Sequence, residues 1–212
     1  LVDVPALGYF AADKPRPRGE VWLRGASVST HGYFNPNEPA QEAFRPDGWY
    51  ATGDVGEWRE DGQLCIIDRV KNIIKLSHGE YIALEQVEAI IKLSEYVENV
   101  CVCAASEQPF CIAVVLPSLP AIRAWSGARS LQHLSNNDLL SHDDVKALVT
   151  ESVQQCARDG NLKGGSVPRF VVISKDEWLP ENGMLTAAMK LSRQAIRNHH
   201  QAAIAACSCD IP

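Results

Sequence analysis

The sequence has no excess of positive charge: 20 Lys and Arg stand against 26 Asp and Glu in 212 residues, a net charge of -6. That balance argues against a general nucleic-acid binder, whose affinity comes from neutralising phosphates. It also has no run of the roughly 20 apolar residues needed to span a bilayer, and no basic-then-apolar leader at its start. Its seven cysteines form no regular framework. The pairs Cys101/Cys103 and Cys207/Cys209 are spaced by one residue, not by the two usual in zinc knuckles, so a reduced intracellular compartment fits best and no metal ligands are assigned. Internal repeats, low-complexity tracts and an obvious phosphate loop are lacking too. What is present, 46% hydrophobic and 22% charged residues, is enough to bury a sizeable core. The first residue is Leu1, which suggests a piece of a longer chain.

Residues 1–46 are rich in Pro and Gly, with one strand signal, "GEVWLRG" at 19–25, where Val21 and Leu23 alternate with Glu20, Trp22 and Arg24. This segment reads as the end of something larger. "DGQLCIIDR" at 61–69 opens on an Asp-Gly turn and continues as a strand. "NIIKLSHGEYI" at 72–82 predicts a hairpin around Ser77-His78-Gly79, with Gly79 where φ must be positive. The period then changes: Leu84, Val87, Ile90 and Ile91 share one helical face, while Glu85 and Glu88 read as its solvated side, with Glu88 spaced to pair with Lys92.

"NVCVCAA" at 99–105 and "FCIAVVLP" at 110–117 read as buried strands. Residues 120–160 read as helical, "PRFVVIS" at 168–174 as a further strand, and a final helix runs from about Lys190 towards Ala206, with the small-residue tail "QAAIAACSCDIP" at 201–212 expected to fray. The predicted fold class is therefore α+β: the β-rich end of a large domain over residues 1–70, then a compact α+β domain over 71–212 with a small mixed sheet flanked by helices.

Three constellations carry candidate chemistry. In "DGWYATGDVGEW" at 47–58, Asp54 follows Gly53 in a glycine turn. The common role of such an Asp is to cap its own backbone; the functional alternative is a carboxylate accepting from a vicinal diol such as a ribose, with Gly53 permitting close approach. The second is "DRVKNIIKLSHGEYIALEQVE", in isolation a charged connector, a hairpin and a helix. The third is "NGMLTAAMKLSRQAIR", where Lys190, Arg193 and Arg197 fall on one helical stripe, ordinarily a solvated face.

Taken in order, Gly19-Glu20, Gly32-Tyr33, "DGWYATGDVGEW", "DGQLCIIDRVKNIIKLSHGEYIALEQVE" and the late Lys-x-x-Arg resemble the successive core motifs of the acyl-adenylate-forming enzymes. With "FCIAVVLP" and "NGMLTAAMKLSR", the wording is similar to that of eukaryotic-type long-chain fatty acyl-CoA synthetases, over roughly residues 19–197. One departure is Ala187-Ala188, where long-chain members have Thr-Pro-Thr ahead of the lysine.

The resemblance implies a ligase that activates a fatty acid with ATP and Mg2+ to an acyl-adenylate, then transfers the acyl group to CoA while a small C-terminal domain rotates. It implies that Asp54 accepts the ribose hydroxyls and Arg69 lies along the ribose and phosphates. Lys71 takes the hinge position, and Gly79 lines the pantetheine tunnel within the 72–82 hairpin. Lys190 bridges the carboxylate and α-phosphate oxygens. The family's Ser/Thr/Gly-rich phosphate loop and magnesium-binding Glu would lie upstream of this stretch, so the stretch is expected to be inactive alone. Its expected partners are the fatty acid, ATP and CoA, with no nucleic acid; any membrane association would come from outside it, and its expected place is the cytoplasm or the cytosolic face of a membrane. The alternatives are another adenylate-forming ligase, for medium-chain or aryl acids, and a noncatalytic CoA- or nucleotide-binding module.

Overall fold

The computed structural model describes residues 1–29, 32, 42–127 and 129–209, the side chains of 208 and 209 excepted. The chain divides into two compact units, Leu1–Ile74 and Lys75–Pro212.

In the first unit, β1 (Arg18–Leu23), β2 (Tyr50–Trp58) and β3 (Leu64–Arg69) form an antiparallel meander in that order. Alternation places Val21, Ala51 and Val55 inward. The expected inward pairing of Val21 with Leu23 is broken: the register shifts between Glu20 and Trp22, and Leu23 is exposed. Between those two pairs β1 advances two residues and β2 four, so the strands fall out of step there. The turn between β2 and β3 is the expected Asp-Gly one, with Gly62 at φ 80°.

After β3, the one-turn 3-10 helix Val70–Asn72 leads to β4 (Ile73–Lys75), which forms a two-stranded sheet with β5 (Tyr81–Ala83). The sequence suggested a boundary at 70/71, whereas the compact units part at 74/75. Buried Asn72 explains the difference, because its amide donates to Asp68 Oδ1 at 3.3 Å and fastens the helical turn to the first unit.

The second unit is built on a mixed sheet: β6 (Val97–Ala104) pairs antiparallel with β7 (Cys111–Pro117), and β7 pairs parallel with β8 (Phe170–Ile173). Every residue of β7 is buried, as a central strand covered on both faces requires. Helices α1 (Leu84–Ile91), α2 (Leu119–Gly127), α3 (Asn136–Ser141) and α4 (Asp143–Asp159) supply the flanking layers. α4 buries Val145, Val149, Val153 and Ala157, one stripe at helical spacing. The expected α+β class with a small mixed sheet is the observed one.

The end of the chain departs from expectation. The helix foreseen from about Lys190 begins only at Arg193, as α5 (Arg193–His199), and α6 (Gln201–Cys209) follows where a frayed tail was expected. The last three residues of that tail lie outside the described residues. Two backbone facts exclude a helix at Lys190: Met189 has φ 58°, and Leu185 forms an antiparallel bridge with Leu191. No described helix is long and apolar enough to cross a membrane.

Candidate functional site

The first unit gathers Asp54, Arg69 and Lys71. Asp54 on β2 and Arg69 on β3 are cross-strand partners, so sheet register alone brings them together. Arg69 Nε stands 3.2 Å from Asp54 Oδ1, with the Asp54 side chain one-third exposed and that of Arg69 half exposed. The Thr-Gly-Asp segment is fixed from behind. Thr52 Oγ1 donates to the Val21 carbonyl at 2.8 Å and accepts from the Asp54 N–H at 3.0 Å. Gly53, at φ 74°, donates its N–H to Glu20 Oε1 at 3.0 Å. A residue other than glycine is strained in that conformation.

Beside this segment lies a pocket of about 380 Å³ lined by Glu20, Thr52, Gly53, Arg69, Val70 and Lys71. Asp54 is not among its lining residues, but Arg69, its ion-pair partner, is. Among the described residues, Asp54 Oδ2 has no hydrogen-bond partner, so an acceptor oxygen is available to a hydroxyl donor. The resemblance motif Gly32-Tyr33 falls partly outside the described residues, since Tyr33 is not among them.

Sequence reasoning passed over two residues here. Glu20 entered only as the outward side of a strand and as part of the Gly19-Glu20 motif, and Asp68 only as part of the 61–69 strand and its connector. Asp68 is buried and accepts the Arg69 backbone N–H and the Asn72 amide. The signal available was an acidic residue in an otherwise apolar strand, which demands partners when buried.

The second unit holds Gly79 and Lys190. Gly79, at φ 93°, closes the hairpin turn and donates its N–H to the Leu76 carbonyl. A Cβ built on Gly79 meets no atom within 4 Å, so backbone conformation is what requires glycine there. Next to it, Glu80 accepts from the Gly165 N–H at 2.9 Å and lies 2.9 Å from His78 Nε2. Partial burial raises the Glu80 pKa, and the Gly165 and His78 hydrogen bonds overcome this, holding it below its ordinary value.

Lys190 is exposed at the end of a tight turn. Thr186 N–H donates to the Lys190 carbonyl at 2.8 Å, Lys190 N–H donates to Thr186 Oγ1 at 3.2 Å, and Met189 N–H donates to the Thr186 carbonyl at 2.8 Å. The turn stems, Met184 and Leu185, are buried in an apolar cluster with Cys101, Cys103, Trp178 and Ile196.

The expected basic stripe does not exist as one surface. Lys190 lies off the helix, Arg197 is exposed, and Arg193 turns inward to Glu88. Glu88, expected on the solvated side of α1 and paired with Lys92, is 4% exposed. It binds Arg193 through both carboxylate oxygens and accepts the Val102 N–H at 2.7 Å. Burial is the largest influence on Glu88 and raises its pKa, against the opposing pull of Arg193. Burial alone would lower the pKa of Arg193, but the Glu88 carboxylate outweighs it and raises it.

No protein-family model matches the chain. It is 37% identical to fatty acyl-CoA synthetase B of Dictyostelium discoideum over 201 residues, 95% of this chain and 29% of that protein. It is 37% identical to long chain acyl-CoA synthetase 8 of Arabidopsis thaliana over 93% of this chain and 28% of that protein. With long-chain-fatty-acid–CoA ligase 1 of Saccharomyces cerevisiae the identity is 38%, over 93% of this chain and 28% of that one. Among solved structures, the A domain of a carboxylic acid reductase from Segniliparus rugosus, in complex with AMP and a co-purified carboxylic acid, matches at TM-score 0.84 and 33% identity. That match covers 100% of this chain and 31% of that one. The chain thus spans under a third of the length of the relatives it matches.

Proposed function

From the premise that the chain belongs with the long-chain acyl-CoA synthetases of the acyl-adenylate-forming superfamily, as a portion of one, we propose that it is the C-terminal part of a long-chain fatty acid–CoA ligase. Residues 1–70 are the end of the nucleotide-binding domain and 71–212 the mobile domain, with the hinge stretch 71–74 belonging to the first compact unit. The whole enzyme, not this part alone, converts a fatty acid and ATP to an acyl-adenylate and then to a CoA thioester. Mg2+ accompanies the ATP, held by residues outside this chain. Its expected place is intracellular, the cytoplasm or the cytosolic face of a membrane, on the ground that its scattered cysteines have no disulfide-framework spacing.

The similarity to named acyl-CoA synthetases along more than nine-tenths of the chain carries this reading. The residues fit it. Asp54 offers a carboxylate on a side chain one-third exposed to a ribose diol, and Arg69 sets a guanidinium beside it for phosphate oxygens. Lys71, exposed in the 3-10 helix before β4, is placed to exchange solvent for another partner if the dihedrals there change. Gly79, at the tip of its hairpin, leaves room for a slender arm. Lys190 offers an ammonium to the negative charge that concentrates where a carboxylate meets an α-phosphate.

The match to a carboxylic acid reductase A domain favours one second reading: the same adenylation with a different acyl acceptor.

The test is a chimera in which this chain replaces the matching portion of the Saccharomyces cerevisiae ligase. It should form a long-chain acyl-CoA from fatty acid, ATP and CoA. Lys190→Ala should reduce the adenylation half-reaction by roughly 10²-fold while thioester formation from supplied acyl-adenylate changes little. Equal loss in both steps, or a folded chimera that makes no adenylate, would overturn the proposal.

A further inference from the structure

The 186–190 turn has no apolar grip of its own, since all five residues are exposed. Its orientation comes from its stems. On the leading side Met184 and Leu185 are buried, and on the trailing side Ser192 N–H donates to the Met184 carbonyl at 2.9 Å. Directly after Ser192 comes Arg193, the first residue of α5. Ser192 is the N-cap of that helix but makes no side-chain capping bond. A helix that starts uncapped can slide or fray at this end unless something else fixes it.

Arg193 supplies that fixture. Its two terminal nitrogens meet the two oxygens of Glu88, a contact between residues 105 positions apart, and Glu85 Oε1 lies 3.8 Å from Nη2. Glu88 is itself tied to β6 by the Val102 N–H. This guanidinium therefore ties the start of α5, and with it the 186–190 turn and Lys190, to α1 and to the sheet, beside the apolar contacts of Met184, Leu185, Leu191 and Ile196. Only Leu191 and Ser192 lie between Lys190 and Arg193, at most about 10 Å of extended chain, so an angular error at Arg193 is carried to the lysine.

We propose that the Glu88–Arg193 pair is a positioning device for Lys190, setting the orientation of the turn that presents the ammonium. The inference rests on the role given to Lys190 above. A buried ion pair is an inefficient means of stabilisation, because desolvation consumes much of its attraction and an apolar pair of similar volume does as well. What a fork-to-fork guanidinium–carboxylate contact adds is direction, which a lysine ammonium at the same place cannot reproduce.

The discriminating variant is Arg193→Lys, which keeps the charge and loses the fork. In the 212-residue chain, amide hydrogen exchange over 185–192 should quicken by about fivefold or more, while β7 and α4 keep their protection. In the chimera, the adenylation rate constant should fall about tenfold with the KM for ATP unchanged, and thioester formation from supplied acyl-adenylate should be preserved. Unchanged exchange over 185–192 overturns the proposal. So does quickening spread evenly through β6, β7 and α4, which would make the pair a general support of the fold. Selective quickening, combined with a Lys190→Ala chimera that adenylates normally, leaves the positioning device standing and removes the catalytic role of Lys190.

Discussion

Both units set a carboxylate against an arginine, yet they do it by opposite means. Asp54 and Arg69 face each other because two consecutive strands of one meander run antiparallel, and the pair stays open to solvent. Glu88 and Arg193 meet across 105 residues, with the Glu88 side chain 6% and the Arg193 side chain 25% exposed. The first pair comes from register and is weak, so its groups remain available to a ligand. The second comes from packing and is strong in the sense that neither member tolerates losing the other.

That contrast yields a ranked series of tests. The largest effect should come from Glu88→Ala, which leaves a mostly buried guanidinium without its partner; a loss of about 3–5 kcal/mol is expected in urea unfolding of the chain. A loss below about 1 kcal/mol would mean that water replaces the carboxylate and that the pair is effectively exposed. Next is Gly79→Ala, where the positive φ should cost about 1–2 kcal/mol, read as a lower melting temperature. An unchanged melting temperature would show the turn to be free to change type.

Glu80 gives a test in pH. Its pKa is lowered in the folded state, so its contribution is present above the ordinary value of 4.5 and is lost as pH falls through the lowered value. Stability should therefore drop on acidification below about 4.5, and Glu80→Gln should flatten that part of the profile; an identical acid limb in wild type and variant would exclude Glu80 as its source. The smallest effect belongs to Asp54→Ala, which removes half of a solvent-screened pair and should alter stability by less than about 1 kcal/mol. Nucleotide binding by the chimera should weaken markedly even so. A large stability loss with intact binding would make Asp54 a structural residue and reverse the contrast between the two pairs.

Much of the candidate site was legible because it is local. Gly62 and Gly79 announce turns that need positive φ, and both have it. The Asp-Gly turn announces that β2 and β3 pair, but counted from the turn Asp54 would face Asp68; the irregularity between Val55 and Gly56 moves it opposite Arg69. The expectation failed where local pattern and tertiary contact disagree. Lys190, Arg193 and Arg197 have helical spacing, but the Leu185–Leu191 bridge and the positive φ of Met189 end that pattern before it can begin. Glu88 has the spacing to pair with Lys92, but it also stands four residues after Leu84 and three before Ile91, at the edge of the apolar face, and the pairing pattern does not show which side prevails.

By itself, then, the sequence determined the class of the fold, the hairpins and glycine turns, the apolar faces of α4 and β7, and the family motifs. Each of these is set by period and by backbone preference within a few residues. Only the tertiary structure decided that Glu88 is buried, that Arg193 turns inward, that Lys190 stands on a turn instead of a helix, and that Asn72 ties the connector to the first unit. Whether a charge is buried depends on whether a partner waits at the same point in space, and for Glu88 that partner lies 105 residues along the chain.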